Sequence, residues 1–189
     1  NLKNIFPAMQ FLTASNRKGL EDKVRDFDNG ILNAENKNIV VIGGGDTAMD
    51  CVRTAVRQNA KSVKCLYRRD KENMPGSARE VSNAEEEGVE FIWLSNPKQF
   101  IGKNRVENIL VDKMKLGDPD ESGRQKPVKE ENSEFNIKAD IVIKSLGFDP
   151  ENLPKLFGEE KLQVTKWGTI RADFDTMQTS IPGVFAAGD

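Results

Sequence analysis

Histidine is absent from all 189 residues. That removes catalytic triads, His-ligated metals and imidazole acid-base catalysis together. Cysteine is scarce: Cys51 and Cys65 stand alone, far from C-x-x-C spacing, which argues against a redox dithiol, a zinc site and a disulfide scaffold. A reducing, cytoplasmic setting suits that usage. No apolar run approaches the roughly 20 residues that span a bilayer, so no membrane partner is expected. Charge of one sign is also missing, since 28 Lys+Arg against 30 Asp+Glu leave a net −2. Without a basic field, nucleic acid is not an expected partner. What remains, 37% hydrophobic and 31% charged residues, describes an ordinary globular chain long enough for one domain, or one domain and a fragment of another. Asn1-Leu2-Lys3-Asn4 has neither an initiator Met nor the organisation of a signal peptide and reads as a cut edge.

Residues Phe6 to Leu12 read as a short helix, and the charged stretch from Ser15 to Lys37 lacks clear periodicity, so residues 1–37 are expected to form a connecting arm. Asn38-Ile39-Val40-Val41-Ile42 is a continuous β-branched run ending at Gly43-Gly44-Gly45, the pattern of a parallel strand buried on both faces. Ala48, Cys51, Val52, Ala55 and Val56 then recur at helical spacing, with Asp50, Arg53, Arg57 and Gln58 on the other face. A second strand is expected at Ser62–Tyr67, a second helix at Ser77–Glu87 stopped by Gly88, and a third strand at Val89–Leu94. This is a βαβαβ half-fold, α/β and Rossmann-like. Val106–Leu116 and Val128–Ile137 predict an antiparallel hairpin or meander, and Ala139–Gly147 returns to a buried strand. The remainder, to Asp189, is loop-rich.

Gly43-x-Gly45-x-x-Ala48 follows a buried strand and opens a helix, the context that a dinucleotide fingerprint requires. Gly43 would permit the tight turn, Gly45 the approach of a pyrophosphate to the backbone, and Ala48 close helix-strand packing. Gly44, Asp46 and Thr47 complete the turn, where the helix presents free N–H groups. The bland alternative is a glycine-rich link between strand and helix. Asp46 is expected to cap its helix, since a carboxylate facing inward would repel a pyrophosphate. NAD sites place an acid about 20 residues beyond the fingerprint. Here no acid occurs from Cys51 to Arg69, and the second strand ends in Arg68-Arg69. Guanidinium groups match phosphate bidentately, so this pair suits the 2′-phosphate of NADPH, the bland alternative being a solvated strand end. Arg79 either reaches the same phosphate or sits on a solvated helix face. Trp93 and Trp167 read as core more readily than as nicotinamide stacks.

Val41-Ile42-Gly43-Gly44-Gly45-Asp46-Thr47-Ala48-Met49-Asp50-Cys51-Val52-Arg53-Thr54 and Tyr67-Arg68-Arg69-Asp70-x-Glu72-Asn73-Met74-Pro75-Gly76-Ser77 resemble the NADPH-binding insertion of the glutamate synthase small-subunit family. The likeness continues through 86–91, 143–148 and 182–189. The reductase portion of dihydropyrimidine dehydrogenase is similar but less close, and thioredoxin reductases share the architecture but carry a C-x-x-C that is lacking here. The resemblance implies a pyridine-nucleotide domain of the type found in flavoproteins with two dinucleotide-binding domains. It would be an NADPH-binding domain at 38–147, with a return segment at 148–189 toward a truncated FAD-binding domain. Leu146 and Gly147 would lie where the chain returns, and Gly188-Asp189 would contribute its carboxylate to FAD. The implied activity is transfer of electrons from NADPH through FAD and iron–sulfur centres toward glutamate synthesis. The FAD domain of the same protein and the glutamate synthase large subunit are the implied partners. No residue then needs to act as acid, base or nucleophile, so the catalytic set is empty, and no metal site is expected. The family's first FAD fingerprint and its cysteine-rich iron–sulfur region have no counterpart, so this chain alone is expected to carry no flavin and to be inactive. An NAD(P)-sensing module, a methyltransferase-like nucleoside binder, or a domain with a decayed site would use the same glycine turn without electron transfer.

Overall fold

The β-branched run of residues 38–42 forms β2 (Asn38–Ile42), the middle strand of a five-stranded sheet, in a computed structural model that describes residues 2–119, 123, 125–147 and 150–188. Its neighbours are β3 (Ser62–Leu66) and β9 (Ile141–Lys144). Beyond them lie β4 (Glu90–Ile92) and β1 (Ile5–Pro7), giving the order β1-β9-β2-β3-β4, parallel throughout. Ile39, Val40 and Val41 are fully buried, as a strand covered on both faces must be. Each such side chain contributes about 1.5–3 kcal/mol of apolar burial.

The two faces are covered differently. Ile39, Val41, Cys65, Ile141 and Ile143 pack against three helices: α1 (Ala8–Gly19) through Phe11, α3 (Asp46–Arg57) through Ala48, Met49, Val52 and Ala55, and α4 (Ala78–Glu86) through Val81 and Ala84. Val40, Ile42, Leu66 and Val142 on the reverse face meet Ile109, Val111 and Ile137 of an antiparallel meander. Its strands are β5 (Ser95–Ile101), β6 (Asn108–Pro119), β7 (Gln125–Lys129) and β8 (Phe135–Lys138). The long β6 pairs with β5, and pairs with β7 and β8 along successive stretches.

Three local expectations change. The segment read as a short helix from Phe6 is a strand for three residues and a helix from Ala8 to Gly19, with Pro7 at the N-cap. A second short helix, α2 (Arg25–Asp28), interrupts the charged stretch. The expected strand Val128–Ile137 is divided into β7 and β8, and β5 follows β4 almost at once. At the N-terminal edge of the sheet, Asn38 donates its backbone N–H and its Nδ2 to Asp140 Oδ2, at 2.8 and 2.6 Å. Burial alone would raise the Asp140 carboxyl, but these hydrogen bonds from Asn38 hold it below its ordinary range. They also set β9 beside β2.

The chain divides into two compact units, Asn1–Leu146 and Gly147–Asp189. The second carries a five-residue helix, α5 (Leu153–Phe157). Asn152 Oδ1 caps it by accepting the Lys155 N–H, and Gly158 ends it in the left-handed conformation. Isolated bridges at Val164–Ile170, Ala172–Thr179 and Gln178–Phe185 supply the rest of its order, in keeping with a loop-rich sequence. Among the described residues no helix is long and apolar enough to cross a membrane.

Candidate functional site

The strand order reverses at β2, because the β2-α3-β3-α4-β4 crossovers run to one side while β9 and β1 lie on the other. In an open α/β sheet, the crevice beyond the carboxyl ends of the strands at such a point is where ligands bind. Gly43 to Ala48 stand there. The Gly43 N–H donates to Leu66 O (3.1 Å) and the Ser145 N–H to Ile42 O (2.8 Å), continuing the ladder past the last strand residues.

The three glycines stand in three different surroundings. Gly43 has φ +142°, and a Cβ there would lie 2.0 Å from Ser145 O, so both conformation and space forbid a side chain. At Gly44 a Cβ would stand 2.5 Å from Tyr67 Cε2, inside the ring packed beneath the turn. Gly45 is the N-cap of α3, with φ −92° and ψ 176°, and no protein atom lies within 4 Å of where its Cβ would be. Nothing inside the protein calls for glycine at that position. The open space lies at the head of a helix without a side-chain cap, where the Ala48 N–H turns back to Gly45 O (2.9 Å) and the N–H groups of Asp46 and Thr47 stand ahead of it at the open end. Those donors, the positive end of the helix dipole and the free volume over Gly45 together fit a phosphate ester. Thr47 is half-buried in this first turn, and Ala48 is fully buried against the sheet.

Asp46 does not cap its own helix. Its Oδ1 accepts the backbone N–H of Ser77, the N-cap residue of α4, at 2.8 Å. Beside it the Gly76 N–H donates to Gly44 O at 2.9 Å. The segment ahead of α4 is braced further by the Tyr67 hydroxyl donating to Asn73 O (3.0 Å) and by Asp70 Oδ1 accepting from Asn73 N and Nδ2. Lower on the helices, Arg53 of α3 pairs with Glu80 and with Glu87, where Nη2 lies 2.7 Å from Oε1. The hydrogen bond from Arg53 holds the Glu87 carboxyl below the usual carboxylate range.

The two arginines at the end of β3 part company. Arg68 is exposed, whereas Arg69 is 6% exposed and its Nε donates to Gln125 O of β7 at 2.7 Å. Arg69 therefore ties the meander to the end of β3, and Arg68 is the one left facing solvent. Arg79 is exposed in the first turn of α4. Leu146 is 71% exposed just past Ser145. Gly147 and Gly188, in the second unit, have φ +97° and +126°, and Asp189 lies outside the described residues. Trp93 stacks on Phe91 (4.8 Å between centroids) and stands edge-on to Tyr67 at 6.4 Å, a structural role. Trp167, expected in the core, is 70% exposed.

Cys51 and Cys65 are both buried free thiols. Burial, and then the Asp50 charge, push Cys51 up to about 12, while burial, and then Cys51, push Cys65 to about 12. Neither is a thiolate near neutrality. We predict that neither reacts with iodoacetamide at pH 8 in the folded chain, and that mass spectrometry finds two labels after denaturation. Labelling of the native chain would overturn this assignment. Among the described residues no cluster of Cys, Asp and Glu could hold a metal ion.

A family model described as pyridine nucleotide-disulphide oxidoreductase matches residues 7–189. The glutamate synthase (NADPH) small chain of Azospirillum brasilense is 57% identical over 188 residues, covering 100% of this chain and 39% of that protein. Its counterpart in Escherichia coli is 43% identical over 190 residues, covering 98% and 40%. The chain thus spans about two fifths of the length of these curated relatives. Among solved structures, thioredoxin reductase of T. acidophilum superposes with a TM-score of 0.66 at 18% identity, covering 99% of this chain and 49% of that one. The Lactococcus lactis enzyme gives 0.61 at 25% identity, covering 82% and 45%.

Proposed function

The chain belongs to the pyridine nucleotide-disulphide oxidoreductase family, and from that we propose that residues 38–147 bind NADPH as one domain of a flavoprotein reductase of the glutamate synthase small-subunit type. The observation that carries the reading is the open head of α3 at Gly45, at the crevice where the strand order reverses. The exposed Arg68, at the end of the adjacent β3, adds a cation suited to a phosphate. Gly45, Asp46 and Thr47 would hold the pyrophosphate with backbone N–H groups, and Arg68 would meet the 2′-phosphate, with Arg79 as a second cation. NADPH supplies the hydride when bound, and FAD is its acceptor in the reaction we propose. The chain's own residues bind and orient, and none moves a proton.

In this reading residues 1–37, whose β1 and α1 pack into the same sheet and core, also join the NADPH-binding domain to the rest of the protein. Residues 148–189 lead into an FAD-binding domain, Leu146 and Gly147 being where the chain returns and Gly188-Asp189 the stretch whose carboxylate would serve FAD. The large subunit of a glutamate synthase would be the partner that receives the electrons. A reducing, cytoplasmic compartment suits the two free thiols.

The test is calorimetric titration of the chain with NADPH, NADH and S-adenosylmethionine. NADPH should bind at least tenfold more tightly than NADH, one charged hydrogen bond being worth about 1.5–3 kcal/mol. S-adenosylmethionine, which has no pyrophosphate, should not bind. Tighter binding of S-adenosylmethionine, or equal binding of the two coenzymes, would defeat the reading.

A further inference from the structure

We infer that Asp46 is a positioning residue for coenzyme selectivity: its carboxylate latches the start of α4, and the Arg79 it carries, against the glycine turn. This rests on the NADPH reading above. Asp46 stands in the first turn of α3, where a carboxylate aimed at the crevice would oppose an incoming pyrophosphate. Its Oδ1 instead accepts the Ser77 N–H, 31 positions along the chain. One residue earlier, the Gly76 N–H donates to Gly44 O. These two hydrogen bonds are consecutive on the 76–77 segment and both end on the turn, so the heads of α3 and α4 are fastened side by side. The fit leaves little slack, since a Cβ on Gly76 would lie 3.0 Å from Gly44 O. The Asp46 carboxylate also sits at the positive end of the α4 dipole, whose N-cap Ser77 makes no side-chain cap of its own. The latch therefore supplies the cap that α4 lacks and is spent on α4, away from the phosphate.

The latch links the places where the pyrophosphate and the 2′-phosphate would bind through the protein. The glycine turn meets the pyrophosphate, while the first turn of α4 carries Arg79 to where a second cation can reach the 2′-phosphate. Releasing α4 should cost the contact made by Arg79 and spare those made by the turn. The loss should then fall on NADPH and leave NADH nearly unchanged, because the Asp46 side chain touches neither coenzyme and the backbone N–H that meets the pyrophosphate is kept in the variant.

The experiment is calorimetric measurement of NADPH and NADH affinity on the full chain, with melting curves for every variant. Asp46→Ala should weaken NADPH about three- to tenfold and NADH less than twofold, the size of one partly exposed hydrogen bond. Asp46→Asn keeps an oxygen for the Ser77 N–H and should restore most of the loss. Should Asp46→Ala fail to fold, Ser77→Pro removes the same hydrogen bond from the donor side. Ser77 has φ −55°, which proline accommodates, and the variant should show the same selective loss. In an Arg79→Ala background, Asp46→Ala should cost nothing further. Equal losses for both coenzymes, an Asp46→Asn as poor as Asp46→Ala, or no loss at all would overturn the inference. Tighter binding of both coenzymes by Asp46→Asn would also overturn it, by showing that the carboxylate acts directly on the phosphates. A wild-type chain without preference for NADPH would defeat the underlying reading, a failure visible before any variant is made.

Discussion

Gly45→Val should abolish measurable NADPH binding, a loss of more than a hundredfold, while the chain stays folded and melts within a few degrees of wild type. The backbone at Gly45 lies at φ −92° and ψ 176°, open to any residue, and no protein atom lies within 4 Å of a new Cβ. Valine at an N-cap forgoes some helix stability, about 1 kcal/mol or less relative to glycine. Its two methyl groups would fill the space over the first-turn N–H groups, and a pyrophosphate held at hydrogen-bond distance cannot share that volume. Gly43→Ala is the control with the opposite signature. Its Cβ would meet Ser145 O at 2.0 Å on a backbone with φ +142°, so β2 and β9 must separate. Loss of the cooperative melt is expected there. Unchanged NADPH affinity in a folded Gly45→Val chain, measured by calorimetry, would remove the phosphate site from the head of α3.

Arg68→Ala should weaken NADPH roughly ten- to a hundredfold and leave NADH within about twofold, the worth of charge-assisted hydrogen bonds to a phosphate. Arg69→Ala should behave differently. Its side chain is buried and its Nε holds Gln125 O of β7, so truncation takes that donor from the Gln125 carbonyl and loosens the meander. A fall in melting temperature, with both coenzymes affected alike, is the expected result. A folded Arg69→Ala chain that loses NADPH alone would reverse the two assignments. So would an Arg68→Ala chain that keeps its preference.

The family's name includes a disulphide, yet Cys51 lies on α3 and Cys65 on β3, both buried and pushed up to about 12 by desolvation. Neither thiol is placed or ionised for exchange.

The layout of β2, α3, β3 and α4 was legible in the sequence because each element is stated locally. A continuous run such as Ile39-Val40-Val41-Ile42 can only be buried on both faces, apolar residues at helical spacing need one covered face, and glycine at Gly43 answers a backbone angle set within one turn. Other features depended on partners far along the chain. Three residues, Ile5–Pro7, form a strand because β9 lies beside them with its hydrogen bonds free, and no periodicity fits in so short a segment. The reverse face of the sheet is covered by β-strands instead of helices, a choice made by the fit of Ile109, Val111 and Ile137 against Val40 and Val142. Arg68 and Arg69 are the same residue type side by side. Only the arrival of β7 over one of them decides which is structural and which is exposed. Asp46 has the composition of a helix cap and the geometry of a latch, because its hydrogen-bond partner is the N–H of Ser77 on another helix. By itself the sequence determined the glycine turn and the strands and helices that flank it, since these follow from short-range sterics and burial. Which charged groups stay exposed near the glycine turn and which are spent within the fold was decided by tertiary structure, because a side chain turns toward whichever partner the folded chain brings within hydrogen-bond reach.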